Sequence, residues 1–297
     1  MSYFTGIPWQ RFMDFLSPQV DRFTFLKELL EEAELEYKVL DFPGGRHFIV
    51  APPLPEEKYL RRPPVILVAH YDRAEGSPGA NDNSAGVFLL IETAMKLRKS
   101  SENNWLIIFT DKEEIKRGES IQAQGSYTLA EGLKNSRVGR IEKAKIFCFD
   151  TCGTGDTLVI SSTLEYLLKK DGSRDKMRDS IMELRNKALD TARNLRMAKV
   201  LLAPTPFSDD AGFFRAGLAA QTITMLPSEE CIQLVAELRK NPEFAGVLIN
   251  AEYRQNVRTL SIPETWRCLN TVIDSHLRLT PQNFRTVVNF AEALCTG

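Results

Sequence analysis

Residues 65–72 read VILVAHYD, and residues 79–86 read GANDNSAG. The apolar run from Val65 to Ala69 is unbroken and stops at an imidazole and a carboxylate, His70 and Asp72. A short continuous apolar run of this kind marks a strand buried on both faces, as in a parallel sheet covered by helices. Working outward, the rhythm continues. Ala85–Leu97 has helical apolar spacing, and Trp105–Phe109 is a second buried run. Gly125–Leu133 is again helical, and Lys145–Phe149 is a third run. Thr157–Ser161, Val200–Ala203 and Gln221–Leu226 read as further strands; Ser173–Met197, Thr265–His276 and Pro281–Leu294 read as helices. Upstream, Asp21–Leu35 is helical, and Tyr37–Val50 is strand broken at Pro43-Gly44-Gly45.

Strands alternating with helices predict an α/β fold of three layers: a mixed, mostly parallel central sheet with helices on both faces. The absence of a repeat or low-complexity linker predicts one domain over residues 1–297, with residues 1–60 an N-terminal helix and strand portion of it.

Composition narrows the function. Formal net charge is −1, so no basic field is available to attract nucleic acid or a membrane surface. Hydrophobic residues make up 43% and charged residues 26%, the balance of a soluble globular chain. No apolar run is long enough to span a bilayer, and the start has no basic-then-apolar leader. The odd, scattered set of Cys148, Cys152, Cys231, Cys268 and Cys295 does not read as a disulfide framework. These features predict a cytoplasmic protein with a small-molecule or peptide partner.

In sheets of this type, ligands bind beyond the carboxyl ends of the strands. The expected strand ends are rich in donors. His70-Tyr71-Asp72 follows the first run, and Glu113-Glu114 follows the second. Asp150 follows the third, and Ser208-Asp209-Asp210 follows the segment ending at Ala203. Asp82 lies in the loop between the first strand and its helix. Alone, each piece has an ordinary reading: a strand-end aspartate, a helix cap, a solvated loop. Together on one sheet edge, the carboxylates repel each other unless a cation neutralises them. One imidazole with several carboxylates suits zinc, manganese or cobalt. A neighbouring carboxylate that is not a ligand can then serve as general base in amide hydrolysis.

The ordered set His70-Tyr71-Asp72, Gly79 to Gly86, Glu113-Glu114, Gly125-Ser126, Asp150 and Ser208-Asp209-Asp210 resembles the di-zinc aminopeptidases, zinc exopeptidases related to bacterial leucine aminopeptidases and glutaminyl cyclases. The resemblance runs from about Val65 to Leu226, with an echo at Asn270–Asp274. It implies two divalent ions, zinc first and manganese or cobalt as alternatives, bridged by Asp82. His70 and Asp150 would complete one position; Glu114 and Asp210 would complete the other. Glu113 would be the general base, and Asp72 would orient the imidazole of His70. The implied activity is aminopeptidase-type hydrolysis of peptides, and copies of such chains could associate. A single-metal acyl transferase of the glutaminyl cyclase kind and a catalytically silent binding domain are the alternative readings.

The chain departs from the family pattern at position 210, where the last ligand is normally histidine. The aspartate arm is shorter and adds negative charge, which predicts weaker binding of the second ion. Ile115 to Gln124 is also longer than the family usually has before Gly-Ser, and predicts a rim over the site.

Overall fold

A computed structural model describes residues 3–52, 63–116, 118–135, 141–171, 175–249 and 262–297. Eight strands form one sheet: β1 Tyr37–Phe42, β2 Gly45–Val50, β3 Val65–His70, β4 Trp105–Thr110, β5 Lys145–Phe149, β6 Thr157–Ser161, β7 Val200–Ala203 and β8 Ala220–Leu226. Their order is β1-β2-β4-β3-β5-β8-β6-β7. β4, β3, β5 and β8 run parallel, as do β6 and β7. The pairs β1–β2, β2–β4 and β6–β8 are antiparallel. The sheet is therefore mixed and mostly parallel, as the apolar runs predict.

β3 explains the layering. Val65, Leu67 and Ala69 join the core on one face; Ile66 and Val68 join the core on the other. The first face carries the helices Arg22–Glu32, Ala85–Arg98, Asp175–Asn194 and Phe284–Thr296. The second carries Gly125–Asn135 and Asp209–Arg215. A third cluster covers the β6–β8 end through Leu234, Phe244 and Trp266. Full burial of one large apolar side chain contributes about 1.5–3 kcal/mol, so these stacked layers are the main source of stability. The N-terminal residues belong to the first layer: Phe4 and Phe12 pack on Phe88, and Phe4 also on Phe284.

β3 has β4 on one side and β5 on the other, so the chain leaves it in two directions. That is a topological switch point, where a crevice opens at the carboxyl ends. His70 ends β3, and Asp150 follows β5.

Three expectations need correction or extension. Thr265–His276 is not one helix; only Glu264–Arg267 is helical there. Beyond it, Thr271 bonds the carbonyl of Cys268 at 2.6 Å and Asn270 adopts φ +60°, so side chain–backbone bonds outcompete the helix. The expected Ser173–Met197 helix is observed as Asp175–Asn194, and its first residues lie outside the described ones. Helices at Trp9–Phe15, Thr163–Asp171, Asp209–Arg215, Ser228–Lys240 and Phe244–Ile249 add to those read from periodicity. Among the described residues, no helix is long and apolar enough to cross a membrane.

Candidate metal centre

His70 is fully buried. Its Nδ1 lies 3.3 Å from Asp72 Oδ1. Its Nε2 faces Asp82 Oδ1 at 3.1 Å and Asp150 Oδ1 at 3.7 Å. Burial alone would push the imidazole pKa down, but Asp150, Asp72 and Asp82 together raise it well above the ordinary histidine range. A positive charge is therefore strongly favoured between His70 and these carboxylates. Among the described residues, His70, Asp82 and Asp150 are the group whose ligand atoms all lie within 4.8 Å of one another.

Asp72 does two jobs. Besides His70, its carboxylate accepts the backbone N–H of Glu113 and of Glu114, both at 3.1 Å. Burial would raise its pKa; His70 and the two N–H donors hold it below the ordinary value, so it stays ionised. One carboxylate thus aims the imidazole and fixes the loop carrying both glutamates.

The loop of Asp82 is built with equal care. Gly79 sits at φ +62°, and a Cβ there would meet the Asp82 carbonyl at 2.8 Å. Asn81 and Asp82 donate their N–H groups to Asp274 at 2.9 and 3.0 Å. Asn81 Oδ1 accepts the Gly153 N–H at 2.7 Å, and Asn83 donates to the Phe149 carbonyl at 2.8 Å. The loop is therefore tied to the end of β5, where Asp150 stands.

Two contributors are not legible as site residues in the sequence. Arg22 is buried and donates to the carbonyls of Tyr71, Asp72 and Pro78 and to Ser84 Oγ, at 2.8–3.0 Å. Burial and Arg73 lower its pKa to about 9, with Asp72, Asp274 and Asp82 opposing, so the cation persists at neutral pH. A signal existed: Arg22 shares the buried stripe of its helix with Leu26, Leu29 and Leu30, and a charge on an apolar stripe calls for a partner. The second is Gln124, whose Nε2 donates to Glu113 Oε1 at 2.9 Å. Ser126 Oγ in turn donates to Gln124 Oε1 at 3.1 Å. No sequence pattern singles it out.

Glu113 and Glu114 both face the cavity at this edge. Burial first, then nearby carboxylates, raises both pKa values well above the ordinary range; His70 opposes in each case. Asp209 accepts the Thr110 hydroxyl at 2.7 Å, and burial raises its pKa to about 6. Asp210 is 1% exposed, does not line the cavity, and accepts the Ser208 N–H on Oδ1 at 3.0 Å. Burial raises its pKa to about 7. The structure thus brings together His70, Asp82 and Asp150, backs them with Asp72, and sets Glu113 and Glu114 beside them. It does not bring Asp210 into that group. Cys152 is a packed thiol, directed at the Ile223 carbonyl at 3.3 Å.

The donors fit a divalent cation. His70 Nε2, Asp150 Oδ1 and Glu114 Oε1 are buried without a hydrogen-bond partner. Each such atom costs about 1–3 kcal/mol if nothing satisfies it. Ligands bonded at about 2.0 Å in a tetrahedron stand about 3.3 Å apart, close to the 3.1 and 3.7 Å observed around Nε2.

The cavity has a volume of about 460 Å³. Its lining includes the acids Asp82, Glu113, Glu114 and Asp150 and the apolar residues Phe207, Ile249, Trp266 and Leu269. Ile115, Glu119 and Ile121, from the long segment after Glu114, also line it. No lysine or arginine is among the described lining residues.

The fold has solved counterparts. A zinc aminopeptidase from Bacillus subtilis superposes with a TM-score of 0.52 at 17% identity, covering 84% of this chain and 48% of that one. This chain therefore spans about half the length of that protein. A leucine aminopeptidase precursor from Bacteroides thetaiotaomicron gives 0.60 at 15% identity, covering 96% and 93%. A glutaminyl cyclase from the same organism, bound to N-acetylhistamine, gives 0.61 at 16%, covering 96% and 94%. At such identities the likeness establishes the fold alone. No curated protein matches the sequence. The model of peptidase family M28 matches residues 50–245, two thirds of the chain, including the segments that carry His70, Asp82, Glu113, Glu114, Asp150 and Asp210, and the chain belongs to that family.

Proposed function

We propose that the chain is a metal-dependent exopeptidase acting at the free amino end of peptides. One observation carries this reading: Glu113 shares a cavity with Asp82 and Asp150, the partners of His70, and that cavity has apolar lining residues as well. His70, Asp82 and Asp150 would hold a divalent cation, zinc first and manganese or cobalt next, with Asp72 orienting the imidazole. When bound in such a group, a divalent cation polarises a carbonyl and acidifies a water. Glu113, held by Gln124, accepts a proton from the attacking water and returns it to the departing amine.

The acidic lining attracts an ammonium group and repels a carboxylate, so it favours the amino end of a peptide over the carboxyl end. Phe207, Ile249, Trp266 and Leu269 in the lining offer apolar contact to the first side chain. All five cysteines are free and buried, which supports a reducing, cytoplasmic setting.

The test compares three substrates on the zinc-loaded full chain: leucyl-p-nitroanilide, its N-acetyl derivative, and an N-blocked dipeptide with a free carboxyl end. Cleavage of the first alone is expected. Cleavage of the third alone would reverse the polarity of the reading, and cleavage of none would remove it.

A further inference from the structure

The inference rests on reading the site as a metal centre. Two positions are expected around Asp82, and the side chains support them unequally. The first has three donors of different origin: His70 from the end of β3, Asp82 from the following loop, and Asp150 from the end of β5. Their ligand atoms converge within 4.8 Å. The two carboxylates alone balance the charge of one divalent ion. The second position would need Asp82, Glu114 and Asp210, and no such group of three converges among the described residues.

The reason lies in the local chemistry of position 210. Ser208 precedes the Asp209–Arg215 helix in extended conformation, and its side chain makes no capping bond. Asp210 instead reaches back from the first turn, and its Oδ1 takes the Ser208 N–H at 3.0 Å. The bond is like the back-bond of a capping box, made by a short acid one position earlier in the helix. It commits Oδ1 to a buried N–H; Oδ2 stays buried without a hydrogen-bond partner, but the side chain does not line the cavity and joins no converging group of three among the described residues. Glu114 lines the cavity and keeps an unpaired Oε1, but Asp82 and Glu114 alone make two donors. Tight zinc sites use three or four protein ligands.

We propose that this centre binds one divalent cation tightly, at His70, Asp82 and Asp150, and that a ligand at position 210 is what the second position lacks. Asp210 serves the helix start. An imidazole at 210 would reach further, and could not accept the Ser208 N–H in the same way while ligating.

Zinc per chain tests this by elemental mass spectrometry, after gel filtration of the full-length protein in zinc-buffered solution. The native chain should carry one equivalent. Asp210→Asn should still carry one, Asp82→Asn should carry none, and Asp210→His should carry two. Two equivalents in the native chain would overturn the proposal, whether or not Asp210→Asn loses one. One equivalent in a folded Asp210→His would overturn the assignment of the missing ligand to position 210. Zinc on neither the native chain nor Asp210→His, with the fold intact by circular dichroism, would remove the metal-centre reading itself. Should Asp210→His fail to fold, the native chain and Asp210→Asn decide the matter.

Discussion

The two sides of the centre are carried by different kinds of backbone. His70 and Asp150 stand at the ends of β3 and β5, adjacent strands paired through Val68 and Cys148. Asp210 stands in the first turn of a helix of seven residues. A strand end held on both sides by its neighbours has little freedom, so its side chain is aimed before any ligand arrives. A carboxylate in a first helical turn has a local competitor, because unpaired backbone N–H groups lie within its reach. The lesson is that sequence order alone does not make two acids equivalent. Each keeps one buried, unpaired oxygen, but that of Asp150 lies 3.7 Å from His70 Nε2, whereas Asp210 spends its other oxygen on Ser208 and stays outside the converging group.

This contrast can be broken or sharpened by measurement. The largest effect concerns chemistry run from the loop after β4. Glu113→Gln should lower kcat by about 10³-fold while zinc content stays unchanged. A comparable loss in Asp210→Asn would erase the contrast, because it would put the helix start on the reacting side. Next comes the support behind the strand-end side. Asp72→Asn removes the acceptor of His70 and of two loop N–H groups, and should weaken zinc binding by about 10–100-fold in chelator competition. An unchanged affinity would show that the strand end alone aims the imidazole.

Arg22→Met acts on the same side through the fold. It strips a buried cation from three carbonyls and a hydroxyl, and should cost about 3 kcal/mol in urea unfolding. The smallest effect is on pH dependence without metal. Asp209, Asp210 and Asp274 have folded pKa values of about 6, 7 and 6, above the ordinary carboxylate value. Such groups contribute stability that is fully present below pH of about 4 and is lost as pH rises through 6–7. The raised values of Asp82, Glu113, Glu114 and His70 act in the same direction. His47, lowered to about 4, opposes them, and Asp72 acts only below the ordinary carboxylate range. In chelator the protein should therefore unfold at lower urea near neutral pH than at mildly acidic pH, and zinc should flatten that slope. A slope of the opposite sign would mean that the buried acids are relieved by contacts other than a cation.

Much of this was legible in the chain. The unbroken apolar runs at Val65–Ala69, Trp105–Phe109 and Lys145–Phe149 specify strands buried on both faces, because only a doubly covered strand tolerates apolar residues at successive positions. The sheet in turn places His70, Glu113, Glu114 and Asp150 on one edge. The Thr265–His276 segment shows where that reasoning stops. Its apolar spacing favours a helix, but Thr271 and Asp274 form local and distant bonds that periodicity does not register, and Asn270 turns to φ +60°.

The sequence by itself determined the layers, the strand ends and the residue types gathered there, since these follow from local periodicity and the geometry of a parallel sheet. The tertiary structure decided which of those residues meet. Asp274 reaches Asn81 across 193 positions of chain, and Arg22 reaches Ser84 across 62. The turn of the Asp210 side chain toward Ser208 was likewise decided there. The physical reason is that convergence depends on packing between elements distant in sequence, and a rotamer depends on which nearby donor remains unsatisfied once that packing is complete.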